Sequence, residues 1–356
     1  MSNKLHQLFT DCAQSPWLDT LSRDNIRGGE LQAMIDRGIR GVTSNPSIFE
    51  KAISGSKLYD DDIAVCKEQG SSVDDAYWNL VMTDIQAAAD MFADLYRASG
   101  GSDGFISVEI DPRLADETDA QLDAGKSMFT RVNRPNVMIK VPATAAGVPV
   151  IEELLAAGVN VNVTLIFGLP RYAEVLDAWK RGVERAIADG LAPPHSVGSF
   201  FVSRVDTEVD KRLEAIGTDA ALALRGKVAV AQAQVAYAQF RSFMAAGAPL
   251  PVQRPLWAST STKNPAYADL LYVDSLIGPD TVNTLPEATI EAFDDHGTVA
   301  RTVDHDIAGA QGILDAAAGV GIDMDDVAEV LEREGVKAFA DAHEKLLAAL
   351  TPKLKA

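Results

Sequence analysis

The chain has 356 residues, 47% of them hydrophobic, and a formal net charge of -19. That length supplies a large core and fits one α/β barrel domain over residues 1–356, while no window approaches the roughly 18 uninterrupted apolar residues of a membrane span. So acidic a chain lacks the basic stripe that a nucleic-acid backbone requires, yet screening beyond about 8 Å lets a local pair of cations hold a small anion.

In chain order, residues 1–12 are polar and carry no apolar block of the secretory kind, which makes the cytoplasm the expected location. Strands are expected at 17–19, 38–45, 105–111, 136–141, 159–167, 196–202, 256–260 and 281–285. Between most of them lie Ala-, Leu- and Glu-rich stretches with helical spacing, such as 147–157, 169–189 and 206–215. The long gap after Asn45 holds extra helix, including 72–98, and 298–350 reads as a C-terminal helical extension packed on the rest. About eight strand–helix repeats point to a parallel (β/α)8 TIM barrel with additional helices.

The apolar runs tend to finish on one polar residue: Asp19, Asn45, Glu109, Lys140, Thr164, Ser199, Ser259 and Asn283. A parallel barrel delivers such residues to one rim. Alternation supports this, because Ser107 and Glu109, Met138 and Lys140, and Asn162 and Thr164 each share a strand face.

Lys140 stands out within Asn136-Val137-Met138-Ile139-Lys140-Val141-Pro142. A lysine in an apolar strand can serve as an amine nucleophile, forming an imine with a ketone that lets an adjacent carbon–carbon bond break or form. The competing reading is a structural ion pair with Glu109 on the neighbouring strand. None of the five histidines falls at a strand's C-terminal end, so proton transfer at the rim would fall to Asp19 and Glu109. Two cysteines, Cys12 and Cys66, are too few for a disulfide framework, and no His/Cys/carboxylate run has zinc-ligand spacing; neither metal nor cofactor is expected. For a phosphate, Arg204 follows the strand of Ser199, and Lys263 follows the Ser/Thr-rich turn at Ser259. Their plain readings are a pair of Arg204 with Asp206 or Glu208, and simple exposure of Lys263.

These segments together resemble transaldolase from Trp17 to about Phe293. The specific matches are Gly41-Val42-Thr43-Ser44-Asn45-Pro46-Ser47, Ser107-Val108-Glu109-Ile110-Asp111-Pro112-Arg113, Asn136-Val137-Met138-Ile139-Lys140, Asn162-Val163-Thr164-Leu165-Ile166-Phe167 and Ser199-Phe200-Phe201-Val202-Ser203-Arg204. The resemblance implies transfer of a dihydroxyacetone unit from sedoheptulose 7-phosphate to glyceraldehyde 3-phosphate, giving erythrose 4-phosphate and fructose 6-phosphate in the pentose phosphate pathway. It implies that Lys140 forms the imine, Asp19 moves the proton, and Glu109 and Thr164 position a water. Asn45, Asn162 and Ser199 would hold the three-carbon unit, and Arg204 and Ser259 the phosphate. Where the family's better-known branch has an arginine soon after the serine matching Ser259, this chain has Lys263, which would take that duty without a bidentate fork. A related group of fructose 6-phosphate aldolases releases dihydroxyacetone and resembles a glutamine and a tyrosine at the places of Glu109 and Phe201; both residues here side with the transferase. A catalytically silent sugar-phosphate-binding barrel is the alternative of another class. Oligomeric state is not legible.

Overall fold

The computed structural model describes residues 3–247 and 251–355. Eight parallel strands close into a barrel in sequence order: β1 (Gln14–Leu18), β2 (Gly41–Thr43), β3 (Phe105–Glu109), β4 (Val137–Pro142), β5 (Val161–Ile166), β6 (Ser196–Phe201), β7 (Gln253–Ala258) and β8 (Thr281–Leu285). Nearly every strand residue is buried, because helices cover the outer face and side chains fill the lumen. The TIM barrel expected from the chain is therefore the architecture found. Among the described residues no helix is long and apolar enough to cross a membrane.

Element ends follow local chemistry. The expected strand 38–45 shrinks to β2, because Gly38, with φ 112°, caps the helix Glu30–Arg37 in the left-handed region and Asn45 opens the next helix. The helical stretch 72–98 breaks at Phe92 into Val73–Met91 and Ala93–Ala98. The C-terminal stretch divides into Ile307–Gly319 and a terminal helix, Met324–Lys355, with Gly321 at φ 100° in the break. That terminal helix packs on Pro46–Gly55, Val73–Met91, Ser203–Ile216 and β5, so it lies across the barrel's C-terminal mouth.

The lumen is layered. At the N-terminal end the Asp103 carboxylate accepts from Ser15 Oγ at 2.6 Å, Arg40 Nε at 2.6 Å and Arg254 Nη2 at 3.1 Å. His195 lies at this end, as its place before β6 suggested, with its ring 5.3 Å from that of Phe105. Burial, helped by Arg254, pushes its imidazole down to about 4. Above this, Trp17 fills the lumen beside Gly41, where a Cβ would come within 2.6 Å of the indole. The upper layer opens into a cavity and carries the polar strand ends.

Candidate active site

Strand register assembles the site. Glu109 pairs with Lys140 across β3 and β4, and Lys140 with Asn162 across β4 and β5. Lys140 is 5% exposed, and its Nζ donates to Glu109 Oε2 at 3.3 Å and to the Ser44 carbonyl at 3.2 Å. Burial raises the Glu109 carboxyl above its ordinary value, while Lys140 and, farther off, Arg204 pull it down. Asp19 follows β1, is half-buried and lines the cavity. Burial raises its carboxyl too, against Lys140, a 2.9 Å hydrogen bond from Thr43 Oγ1, Arg204 and Lys263. Both carboxylates are thus made more basic than in water.

Beside them, the buried Thr164 hydroxyl has no protein partner among the described residues. Such a group is expensive unless water or a ligand satisfies it. A shift of register on β5 between Val163 and Ile166 accompanies a left-handed backbone at Leu165, φ 60°, directly after Thr164. The bulge re-aims this strand end.

Thr164 faces a cavity of about 560 Å³ whose wall also includes Asp19, Asn45, Lys140, Ser199, Phe201, Arg204, Ser259 and Lys263. Two expected residues sit behind that wall. Asn162 is fully buried, donating to Ser107 Oγ at 2.9 Å and accepting from Ser199 Oγ at 2.7 Å, so it orients Ser199. Glu109 stands behind Lys140. Asn45 spends its carbonyl oxygen capping Pro46–Gly55 through the Ile48 N–H at 3.0 Å, which leaves its amide nitrogen to the cavity. Asn283 does not reach the rim. Alternation on β8 gives the lumen to Thr284, whose hydroxyl meets that of Thr43 at 2.6 Å, while Asn283 accepts from Thr260 at 2.9 Å.

The cationic side is open to a ligand. Arg204 forms no ion pair among the described residues, because Glu208 engages Lys211 and Arg212 and Asp206 accepts the Ala229 N–H at 2.9 Å. Its guanidinium instead faces the Phe201 ring at 4.9 Å and the Phe339 ring at 5.9 Å. Lys263 is exposed, as its plain reading held, yet it borders the same cavity. Ser259 adopts φ 58°, and its hydroxyl lies 2.8 Å from that of Ser203.

Sequence reasoning missed Ser203, Thr284 and Lys51, and, though it expected a terminal helix, not that the helix lends Leu331, Glu334 and Phe339 to the wall. Parity on β8 could have named Thr284; an amphipathic helix gives no sign of what it will cover. Folding also joins Asp74, Asp111 and His343, with ligand atoms within 4.8 Å of one another, a grouping that chain spacing does not announce. Arg113 already supplies the cation there, donating to Asp74 and from Nε to both Asp111 oxygens at 3.0 Å.

Residues 16–350 match the family described as Transaldolase/Fructose-6-phosphate aldolase. The chain belongs to that family. Similar proteins include "Transaldolase 1" of Streptomyces coelicolor, 48% identical over 98% of this chain and 94% of its own. "Transaldolase" of Mycobacterium tuberculosis is 48% identical over 94% of this chain and 92% of its own, and "Transaldolase" of Frankia alni 46% over 99% and 98%. Membership accounts for the family motifs falling on the mouths of β2 to β6.

Proposed function

We propose that this family member is a transaldolase of the pentose phosphate pathway, acting in the cytoplasm as one barrel domain. It moves a dihydroxyacetone unit from sedoheptulose 7-phosphate to glyceraldehyde 3-phosphate through an imine on Lys140, yielding erythrose 4-phosphate and fructose 6-phosphate. The observation that carries this reading is the Lys140 amine at the cavity wall, 3.3 Å from the Glu109 carboxylate and sharing the wall with a Thr164 hydroxyl unpartnered among the described residues.

In this reading each step falls to one group. Glu109, made basic by burial, takes the proton that must leave the Lys140 ammonium before it attacks the ketose carbonyl. Thr164 and Glu109 hold the water lost on dehydration and regained on hydrolysis. Asp19, likewise made basic, removes the proton of the hydroxyl next to the scissile bond, and cleavage leaves the three-carbon unit on Lys140 as an enamine. The aldose departs, an aldose acceptor takes its place, and the enamine carbon attacks the acceptor's aldehyde while Asp19 returns the proton. The Asn45 amide and the Asn162-oriented Ser199 hydroxyl hold the three-carbon hydroxyls. Arg204, Ser259, Ser203 and Lys263 bind phosphate.

Borohydride reduction in the presence of fructose 6-phosphate should add one three-carbon fragment, located at Lys140 by peptide mass. Lys140→Ala should lose both label and transfer while keeping the wild-type far-UV spectrum. An unlabelled wild-type Lys140 would leave the silent sugar-phosphate-binding barrel as the better account. Free dihydroxyacetone released at each turnover would favour a fructose 6-phosphate aldolase instead.

A further inference from the structure

The terminal helix places Phe339 where none of the strand-end chemistry requires a residue. The ring is 4% exposed and lines the cavity, with its centroid 5.6 Å from Lys140 Nζ and 5.9 Å from the Arg204 guanidinium carbon. It therefore spans the space between the amine and the arginine. The helix that carries it is held down by close packing and by charge. Gly335 meets Leu165 on the β5 bulge, where an added Cβ would lie 2.9 Å from the leucine Cδ2. Arg212 reaches Asp326 at 2.6 Å and Lys353 reaches Asp60 at 3.3 Å.

We propose that Phe339 is the residue that reserves the Lys140-bound three-carbon unit for an acceptor by keeping bulk water off it. This rests on the imine reading above. After cleavage the enamine has two fates. In transfer, its carbon bonds to the acceptor aldehyde and the new alkoxide takes the proton held by Asp19. In release, the same carbon takes a proton, water adds across the C=N bond, and the C–N bond breaks; dihydroxyacetone leaves and the Lys140 amine re-forms. Both routes end with water adding across a C=N bond, the water that Thr164 and Glu109 hold. They differ at the enamine carbon, which in transfer meets an aldose and in release must take a proton brought by water. An apolar ring beside the amine that carries the unit keeps stray water from that carbon and so opposes release more than transfer.

Two assays on the full chain test this: dihydroxyacetone formed from fructose 6-phosphate alone, and transfer with erythrose 4-phosphate as acceptor. Phe339→Ala should raise the ratio of release to transfer roughly tenfold, with borohydride still labelling Lys140. Phe339→Leu, which keeps apolar bulk, should give a smaller rise and guards against misfolding of the alanine variant. Leu346→Ala loosens the same helix at a buried position off the cavity wall and should leave the ratio as in wild type. An unchanged ratio in both Phe339 variants with labelling intact overturns the proposal. So does an equal rise in Leu346→Ala, which would assign the effect to helix docking. Loss of wild-type labelling would instead remove the imine reading, and this inference with it.

Discussion

Asp19 and Glu109 lie in a lumen that favours their neutral forms, so the basicity that suits them to proton transfer also costs fold stability. For Asp19 the folded carboxyl titrates above its ordinary value of 3.8, so the folded state holds more proton than the unfolded state in that window. Stability therefore falls as pH rises from about 4 through the folded value. Asp19→Asn keeps an oxygen for the Thr43 hydroxyl and removes the buried charge. It should melt higher than wild type at pH 7, with the gain shrinking toward pH 4 as the native carboxyl becomes neutral. It should also slow carbon–carbon cleavage by roughly 10²–10⁴-fold while borohydride still traps the imine. A melting temperature unchanged at pH 7, or wild-type turnover, would remove Asp19 from the acid–base role. At this scale the sequence was most legible where polar residues close the strands, as with Lys140, Glu109 and Asp19, which the fold brings together at one mouth. It was least legible for Asn162, whose burial behind Ser199 depends on hydrogen bonds to two other strands.

The strands and helices were readable because apolar periodicity records which face is buried, and a strand's parity also records which of its residues look inward. Two elements escaped that logic. The β5 bulge turns on a leucine at φ 60°, where no glycine advertises the left-handed backbone. The terminal helix shows an apolar face but not the surface it meets, and its Gly335 reads as helix-weakening until Leu165 is seen against it. The contact joins the bulge to the helix's unforeseen docking surface and sits one residue from Thr164. Gly335→Val should therefore destabilise the protein by about 1–3 kcal/mol in chemical denaturation, since a branched Cβ must displace a buried leucine on a strained backbone. Turnover should fall with it, because lifting the helix disturbs both the Thr164 strand end and the Phe339 cover. A valine variant with wild-type stability would mean that the helix has slack at this point and does not brace the bulge.

Across the whole molecule the two ends of the barrel divide the work. The C-terminal mouth holds raised carboxyls and, among the described residues, an unpartnered Thr164 hydroxyl and an Arg204 without an ion pair, groups that a bound anion or water would satisfy. The N-terminal end is finished without a ligand, with Asp103 hydrogen-bonded to Ser15, Arg40 and Arg254. Burial alone would raise the Asp103 carboxyl, but Arg254, Arg40 and the Ser15 hydroxyl outweigh it and hold the group below its ordinary 3.8. The sign is opposite to that of Asp19: this network's stabilisation is fully present above pH 4 and is lost as pH falls through the depressed folded value. Asp103→Asn keeps the shape but leaves two guanidinium groups, each 16% exposed, facing one another without a counter-charge. It should cost about 3 kcal/mol near neutral pH, the lower end for breaking a buried pair because the arginines retain some contact with water. Transfer kinetics of the remaining folded enzyme should stay near wild type, since the substitution lies at the end of the lumen away from Lys140. Denaturation and steady-state assays on the same preparation decide it. A large drop in turnover without loss of stability would show that the floor of the barrel tunes the mouth, and the separation between support below and chemistry above would fail.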